Sequence, residues 1–263
     1  MHPEPRLSLA APLPPGRMIT SDGGDGNVQP LWLSDRPATA ALWAQIHAEH
    51  TRSGLWPLLL DALDPDDDEF RPWGSAELMP ERMSSPASHD PAGLLEEWWA
   101  TYTTIDQDDD MLSAKTFGQD WSGLAPARSA ATDPDELAAE YAQAFLTGRP
   151  QSRLGLVAAP SGAEALAVAG WCGPLNYDND TAKFSAVIRD WERRFGVRVV
   201  AVGFSTLHLS VAAPPIQEED ALLVAAEHFA FCPDNVWQGS RPYTLAAYAE
   251  RIIGARSWDF WWD

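Results

Sequence analysis

Hydrophobic and polar positions change rhythm several times along this chain. Over 37–53, Leu42, Ile46 and His50 recur every fourth residue, which predicts a helix. Ser34 or Asp35 is placed to cap it, Pro37 suits its first turn, and Gly54 ends it. Gly54-Leu-Trp-Pro-Leu-Leu-Leu60 is an unbroken apolar run and predicts a buried strand. A short helix is expected at 94–102. The clearest helix opens at Asp133-Pro-Asp-Glu136, which supplies a cap, a first-turn proline and an acid that can reach back to the cap. Leu137, Tyr141 and Phe145 share its inner face, and Gly148 closes it.

After Arg149-Pro150 the pattern sharpens. A strand is expected at 154–158. Ser161-Gly-Ala-Glu164 is a capping box that opens a helix through Ala169. A helix at 184–195 carries Val187, Trp191 and Phe195 on one face and ends at Gly196. Segments 197–202 and 207–212 form a hairpin across Gly203-Phe-Ser-Thr206. Helices follow at 217–229 and 244–253, and Trp258 to Trp262 alternates as a last strand would. This order predicts an α+β protein. Its C-terminal part, 151–263, reads as a β-α-β-β-α sandwich of ferredoxin-like type. Residues 1–150 read as an irregular, acidic, loop-rich and helix-containing region packed on that core.

Charge narrows the possible partners. The chain has 263 residues and a net charge of −20. Residues 1–150 hold 25 acidic against 9 basic side chains, whereas 151–263 hold 13 against 9. Nucleic acids and anionic membrane surfaces need a basic face, so both are disfavoured, while a basic protein partner is permitted. Asp64-Pro-Asp-Asp-Asp-Glu69 and Asp108-Asp-Asp110 read as solvated loops, and Ser21 to Asn27 as a plain turn. No run reaches the length of a membrane span, and Met1-His-Pro-Glu-Pro-Arg6 lacks the apolar segment of a signal peptide. Cys172 and Cys232, the two cysteines, are then expected reduced in a cytoplasmic protein. Sixteen Arg against two Lys suggests a GC-rich bacterial genome. Thirteen Trp point to a tryptophan-rich core.

Several stretches are distinctive as strings. They are Gly54-Leu-Trp-Pro-Leu-Leu-Leu60, Arg153-Leu-Gly-Leu156, Gly170-Trp-Cys-Gly-Pro-Leu-Asn176, Trp191-Glu-Arg-Arg-Phe-Gly196, Ala226-Glu-His-Phe-Ala-Phe-Cys-Pro-Asp234 and Phe260-Trp-Trp-Asp263. With them the chain resembles the bacterial family catalogued as domain of unknown function 4253, over most of its length and most strongly after residue 150. The resemblance implies a stand-alone bacterial protein. It supplies no catalytic residues.

The chain lacks the Gly-x-Ser-x-Gly elbow, the His-Glu-x-x-His zinc helix, the phosphate loop and the Gly-x-Gly-x-x-Gly fingerprint. Its densest polar constellation is Glu227, His228, Cys232 and Asp234, the candidates for catalysis. His228 and Cys232 are one helical turn apart, so with Cys172, and Asp234 or Glu227 as a fourth ligand, they could hold zinc. Pro233 loosens that geometry and no paired Cys-x-x-Cys is present, so no cofactor is expected. In a second reading Cys232 is a nucleophile with His228 as its base. In a third, Cys232 is a small buried residue, His228 and Asp234 satisfy backbone groups, and Trp261 and Trp262 fill the cleft beside the turn. The Trp171 to Asn176 loop reads either as a helix connector or as a ligand loop. Trp171, Asn176, Trp237 and Trp262 are the candidate ligand contacts. The expected function is a non-catalytic cytoplasmic binding or interaction protein. The alternative is an enzyme of unrecognised type that uses the Glu227–Asp234 turn with Cys172. Any site is expected where 228–234, 171–176 and the C-terminal strand meet, because both cysteines, a histidine, two acids and several Trp can converge only there.

Overall fold

The apolar run after Gly54 forms strand β3 (Leu55–Leu60), and every one of its residues is buried. A strand with no polar face must be covered on both sides, which makes it an interior strand. In the computed structural model, which describes residues 9–21, 28–64, 66, 68–105 and 120–263, β3 lies near the middle of one sheet. The Asp108 to Asp110 run, residues 22–27 of the expected turn, and residues 65 and 67 of the first acidic run lie outside the described residues.

Seven strands among the described residues make up this sheet. They are β1 (Gly16–Ile19), β2 (Leu31–Pro37), β3, β4 (Arg153–Ala158), β5 (Val197–Val202), β6 (Thr206–Val211) and β7 (Ser257–Trp261), in the order β1-β2-β4-β3-β5-β6-β7. All neighbours run antiparallel except β3 and β5, which pair in parallel at Leu59 and Leu60. The α+β class is therefore as expected. The ferredoxin-like arrangement is not: β3, from outside the expected sandwich, separates β4 from β5, and β5, β6 and β7 run as an antiparallel meander to one edge. Strands from both sides of residue 150 thus interleave in one sheet.

Pro57 deprives β3 of one backbone donor, and the pairing with β5 begins only beyond it. The indole of Trp56 bridges the gap, donating from Nε1 to the Val199 carbonyl at 3.1 Å. Strands β1 and β2 go beyond the elements that the sequence pattern predicts. The polar end of β2, Ser34-Asp-Arg-Pro37, looks like the approach to a helix. In fact the Ser34 hydroxyl accepts from Leu154 N at 2.9 Å across a register shift with β4. The cap of helix α1 (Ala40–Ala48) is Thr39, with neither Ser34 nor Asp35 in that role and Pro37 still in the strand. The buried stripe of α1 is Trp43, Ile46 and His47, one residue away from the expected face, and a short helix α2 (His50–Ser53) follows before Gly54.

Helices cover both faces. On one side α1 and α4 (Pro134–Gly148) pack over Leu59, Leu154, Leu156 and Val200. Asp133 caps α4 as expected, its carboxylate accepting from Asp135 N at 2.7 Å. On the other side lie α3 (Pro91–Ile105), α5 (Gly162–Ala169), α6 (Thr181–Phe195), α7 (Glu218–Phe231) and α9 (Leu245–Ile252), over Leu58, Leu60, Val199, Leu207 and Leu209. Ser161 caps α5, and Gly196 closes α6 in the left-handed region at φ 62°. A one-turn helix α8 (Asp234–Trp237) occupies what reads in sequence as a loop. Among the described residues no helix is long and apolar enough to cross a membrane.

Candidate functional site

Strand β7 alternates as its sequence suggests: Trp258 and Phe260 are buried, as is Trp262 just beyond, while Asp259 and Trp261 face out. One of its edges pairs with β6. The other is held by the turn that follows α7. Cys232 Sγ donates to the Trp261 carbonyl at 3.0 Å, and Asn235 Nδ2 donates to the Asp259 carbonyl at 2.7 Å. Asn235 Oδ1 accepts from Trp261 N at 3.2 Å, and Asp234 Oδ2 accepts from Asp263 N at 3.0 Å. The Cys232-Pro-Asp-Asn235 string is thus a clasp for the C-terminal strand. Burial raises the Cys232 thiol far above its ordinary range, so it stays protonated as that donor.

His228 and Glu227 are engaged deeper in the protein. His228 is fully buried, boxed by the rings of Trp258 at 4.4 Å, Phe260 at 4.9 Å and Trp191 at 5.1 Å. Its Nδ1 lies 3.0 Å from the Tyr248 hydroxyl. Burial first, and the Arg194 charge second, lower its pKa to about 3, so the ring is neutral. Glu227 Oε1 accepts from Ala125 N at 2.8 Å and Oε2 accepts from Trp191 Nε1 at 2.7 Å. Arg194 adds a bidentate pair at 3.0 and 2.5 Å and also reaches Asp190 at 2.5 Å. Burial alone would lower the Arg194 pKa, but Glu227 and then Asp190 outweigh it and raise it. Every acceptor position on Glu227 is therefore filled, and its role is to tie segment 121–128 to α6 and α7.

The zinc ligand set is not assembled: Cys172 is on a cleft wall, whereas Cys232 is bonded beneath β7 and His228 to Tyr248. Among the described residues no group of three or more His, Cys, Asp or Glu side chains is placed to hold a metal ion.

A cleft of about 590 Å³ opens at the end of the sheet where β3, the β5–β6 turn and β7 finish. It has four wall segments, drawn from 63–82, 171–176, 204–205 and 261–263. Glycine permits their close approach. Gly170 sits at φ 71°, and a Cβ there would lie 2.1 Å from Pro80 N. That contact lets Met79 N donate to the Gly170 carbonyl at 2.8 Å. Trp171 is pinned by its Nε1, which donates to the Gly203 carbonyl at 2.9 Å, and Trp262 N donates to the Ser205 carbonyl at 3.1 Å. Trp171 and Trp262 meet edge to face at 5.7 Å and make the floor. Phe70 and Ala76 hold positive φ values of 52° and 63°, a conformation L-residues seldom adopt, so the 63–82 wall turns through left-handed backbone at two positions.

Of the candidate ligand contacts, Trp171, Asn176 and Trp262 line this cleft. Trp237 does not; it packs on Tyr102 and Phe229 at 5.8 and 5.5 Å. Cys172 lines it too, with its thiol raised by burial more than Arg82 lowers it. Arg82, Phe204 and the 72–79 segment escape a sequence reading because they sit in no periodic element. Trp261 is 39% exposed and Leu175 46% exposed, so the rim carries open apolar surface beside the exposed Arg82, Asn176 and Asp263.

No curated protein and no solved structure matches this chain. A family model does: residues 153–263, which hold the clasp, its strand and three of the four cleft walls, match and so resemble the family described as Domain of unknown function (DUF4253).

Proposed function

We propose that this protein is a non-catalytic binding protein of the bacterial cytoplasm whose ligand seats in the cleft between the Trp171 loop and the end of β7. One contrast carries the proposal. The polar residues able to do chemistry, Glu227, His228, Cys232 and Asp234, are all buried and bonded internally. The cleft, by comparison, offers a mainly apolar and aromatic lining with an exposed Trp261, and its polar groups, Glu77, Arg82, Asn176, Ser205 and Asp263, include no histidine. That is the composition of a site that recognises shape and apolar surface. Cys172 is the cleft's one sulfur nucleophile, and its raised pKa keeps it a thiol near neutral pH, which weighs against the enzyme alternative. Both cysteines are free, which fits a reducing compartment.

A screen of small aromatic compounds by thermal shift and calorimetry tests the reading. Compounds that stabilise the protein should lose most of that effect in Trp261→Ala and Leu175→Ser. Stabilising compounds indifferent to both substitutions would remove the cleft as the site.

A further inference from the structure

We propose that Arg82 makes the cleft selective for small molecules that carry a carboxylate on a planar apolar body. This deepens the binding reading above and rests on it. Arg82 lines the cleft, near enough to Cys172 for its charge to act on the thiol. Among the described residues no ion pair engages it. Arg36, Arg153, Arg241, Arg251 and Arg256 likewise hold no carboxylate among the described residues, whereas Arg71, Arg128, Arg149, Arg189, Arg194 and Arg198 each hold one; of the arginines without one, Arg82 alone lines the cleft. The acid on the same wall, Glu77, does not neutralise it. Glu77 accepts from Arg71 Nε at 2.5 Å and from the Ser75 hydroxyl at 2.7 Å. Asp263 is the other charged lining residue, and no ion pair joins it to Arg82.

A guanidinium presents a planar fork of donors that matches a carboxylate in two-point contact. Trp261, which is exposed, and the half-buried Phe204 supply ring surface for a flat body, backed by the buried Trp171 and Trp262, and the Asn176 amide is a further exposed polar group on the wall. The volume, about 590 Å³, lies in the range of pockets that enclose small organic ligands and leaves no room for a folded partner. In a protein of net charge −20, whose long-range field favours cations, the one cation of the cleft lining gives a local contact of opposite sign beside Glu77 and Asp263.

Three isosteric probes test this by calorimetry: 2-naphthylacetate, its neutral amide and 2-naphthylethylammonium. The carboxylate should bind about tenfold more tightly than the amide, the scale of one charge-assisted contact. In Arg82→Gln the two should bind alike, with affinity for the amide unchanged and the melting point that of the wild type. Trp261→Ala should weaken all three probes. Equal binding of carboxylate and amide to the wild type, or tightest binding of the ammonium, overturns the charge selectivity while sensitivity to Trp261→Ala leaves the cleft standing. Absence of binding by all three at millimolar concentration overturns the cleft reading and this inference together.

Discussion

The side chain of Asn235 serves Trp261 as a missing strand would: its Oδ1 accepts from Trp261 N at 3.2 Å while its Nδ2 donates to the Asp259 carbonyl two residues back, at 2.7 Å. An edge strand with free donors and acceptors is a template for pairing with other chains. Here one amide on the short helix α8 pairs with two of that edge's backbone groups. Asn235→Ala should lower unfolding free energy by about 1–3 kcal/mol, the cost of leaving such groups without partners. Asn235→Asp should cost at least as much, because a carboxylate cannot donate to Asp259. Urea unfolding measures both, and wild-type stability in Asn235→Asp would disprove the clasp.

Glu227 balances Arg194 in a site from which water is excluded. Removing Glu227 leaves Arg194 with Asp190 alone and strands the buried donors Ala125 N and Trp191 Nε1, at a cost of about 3–5 kcal/mol, the scale of breaking a buried pair. Glu227→Ala should therefore be among the most destabilising single changes in the chain. Glu227→Gln should cost less, because its carbonyl oxygen still accepts from Trp191 or Ala125. Denaturant midpoints that rank the two variants in the reverse order would refute this account.

The neutral His228 gives stability a defined pH dependence. Its pKa falls from an ordinary 6.5 to about 3 in the folded protein. Above about pH 6.5 neither state binds the proton and the full contribution is present. As pH falls below that value the unfolded chain takes up the proton and the folded one does not, so stability drops continuously toward pH 3, by about 5 kcal/mol over the whole span. His47, lowered to about 4, acts in the same direction. Unfolding free energies measured from pH 7 to 4.5 should fall more steeply for the wild type than for His228→Phe, which retains only the slope due to the remaining groups. Parallel slopes would contradict the assignment.

Trp258, Phe260 and Trp262 project from the last strand into the aromatic core around Trp191, Phe184 and Phe231. Truncating one buried aromatic typically costs about 3–5 kcal/mol, and deletion of 258–263 removes three of them. The shortened chain should lose its cooperative thermal transition or its soluble expression. An unaltered melting curve would show that the strand is dispensable.

Local chemistry explains which parts of this architecture were legible in the sequence. Asp133 before Pro134, Ser161 before Glu164 and Gly196 after Phe195 mark helix ends because caps and left-handed turns depend on neighbouring residues alone. Trp258, Phe260 and Trp262 betray a strand by alternation. Strand β2 stayed hidden because its register shift is satisfied by the Ser34 hydroxyl and a strand 120 positions away, and nothing in Ser34-Asp-Arg-Pro37 reports that partner. The order of the sheet was equally out of reach, since an apolar run such as β3 fits beside many strands. At the candidate site, the expected meeting of the 171–176 loop with the end of the chain is what forms the cleft. The 228–234 turn lies behind it as support, and Arg82 joins it through loops that carry no periodic signal.

The placement of β3 between β4 and β5 constrains the sequence of events at the ribosome. This strand emerges long before either neighbour is made, with every one of its side chains apolar. It must wait, in a chain still being synthesised, for two partners that flank it from opposite sides. The segment that matches the family model has the complementary difficulty: alone, β4 and β5 would face each other across an empty lane. Nascent-chain folding here is therefore closer to closing a zip with the slider arriving last than to the sequential maturation of two beads on a string.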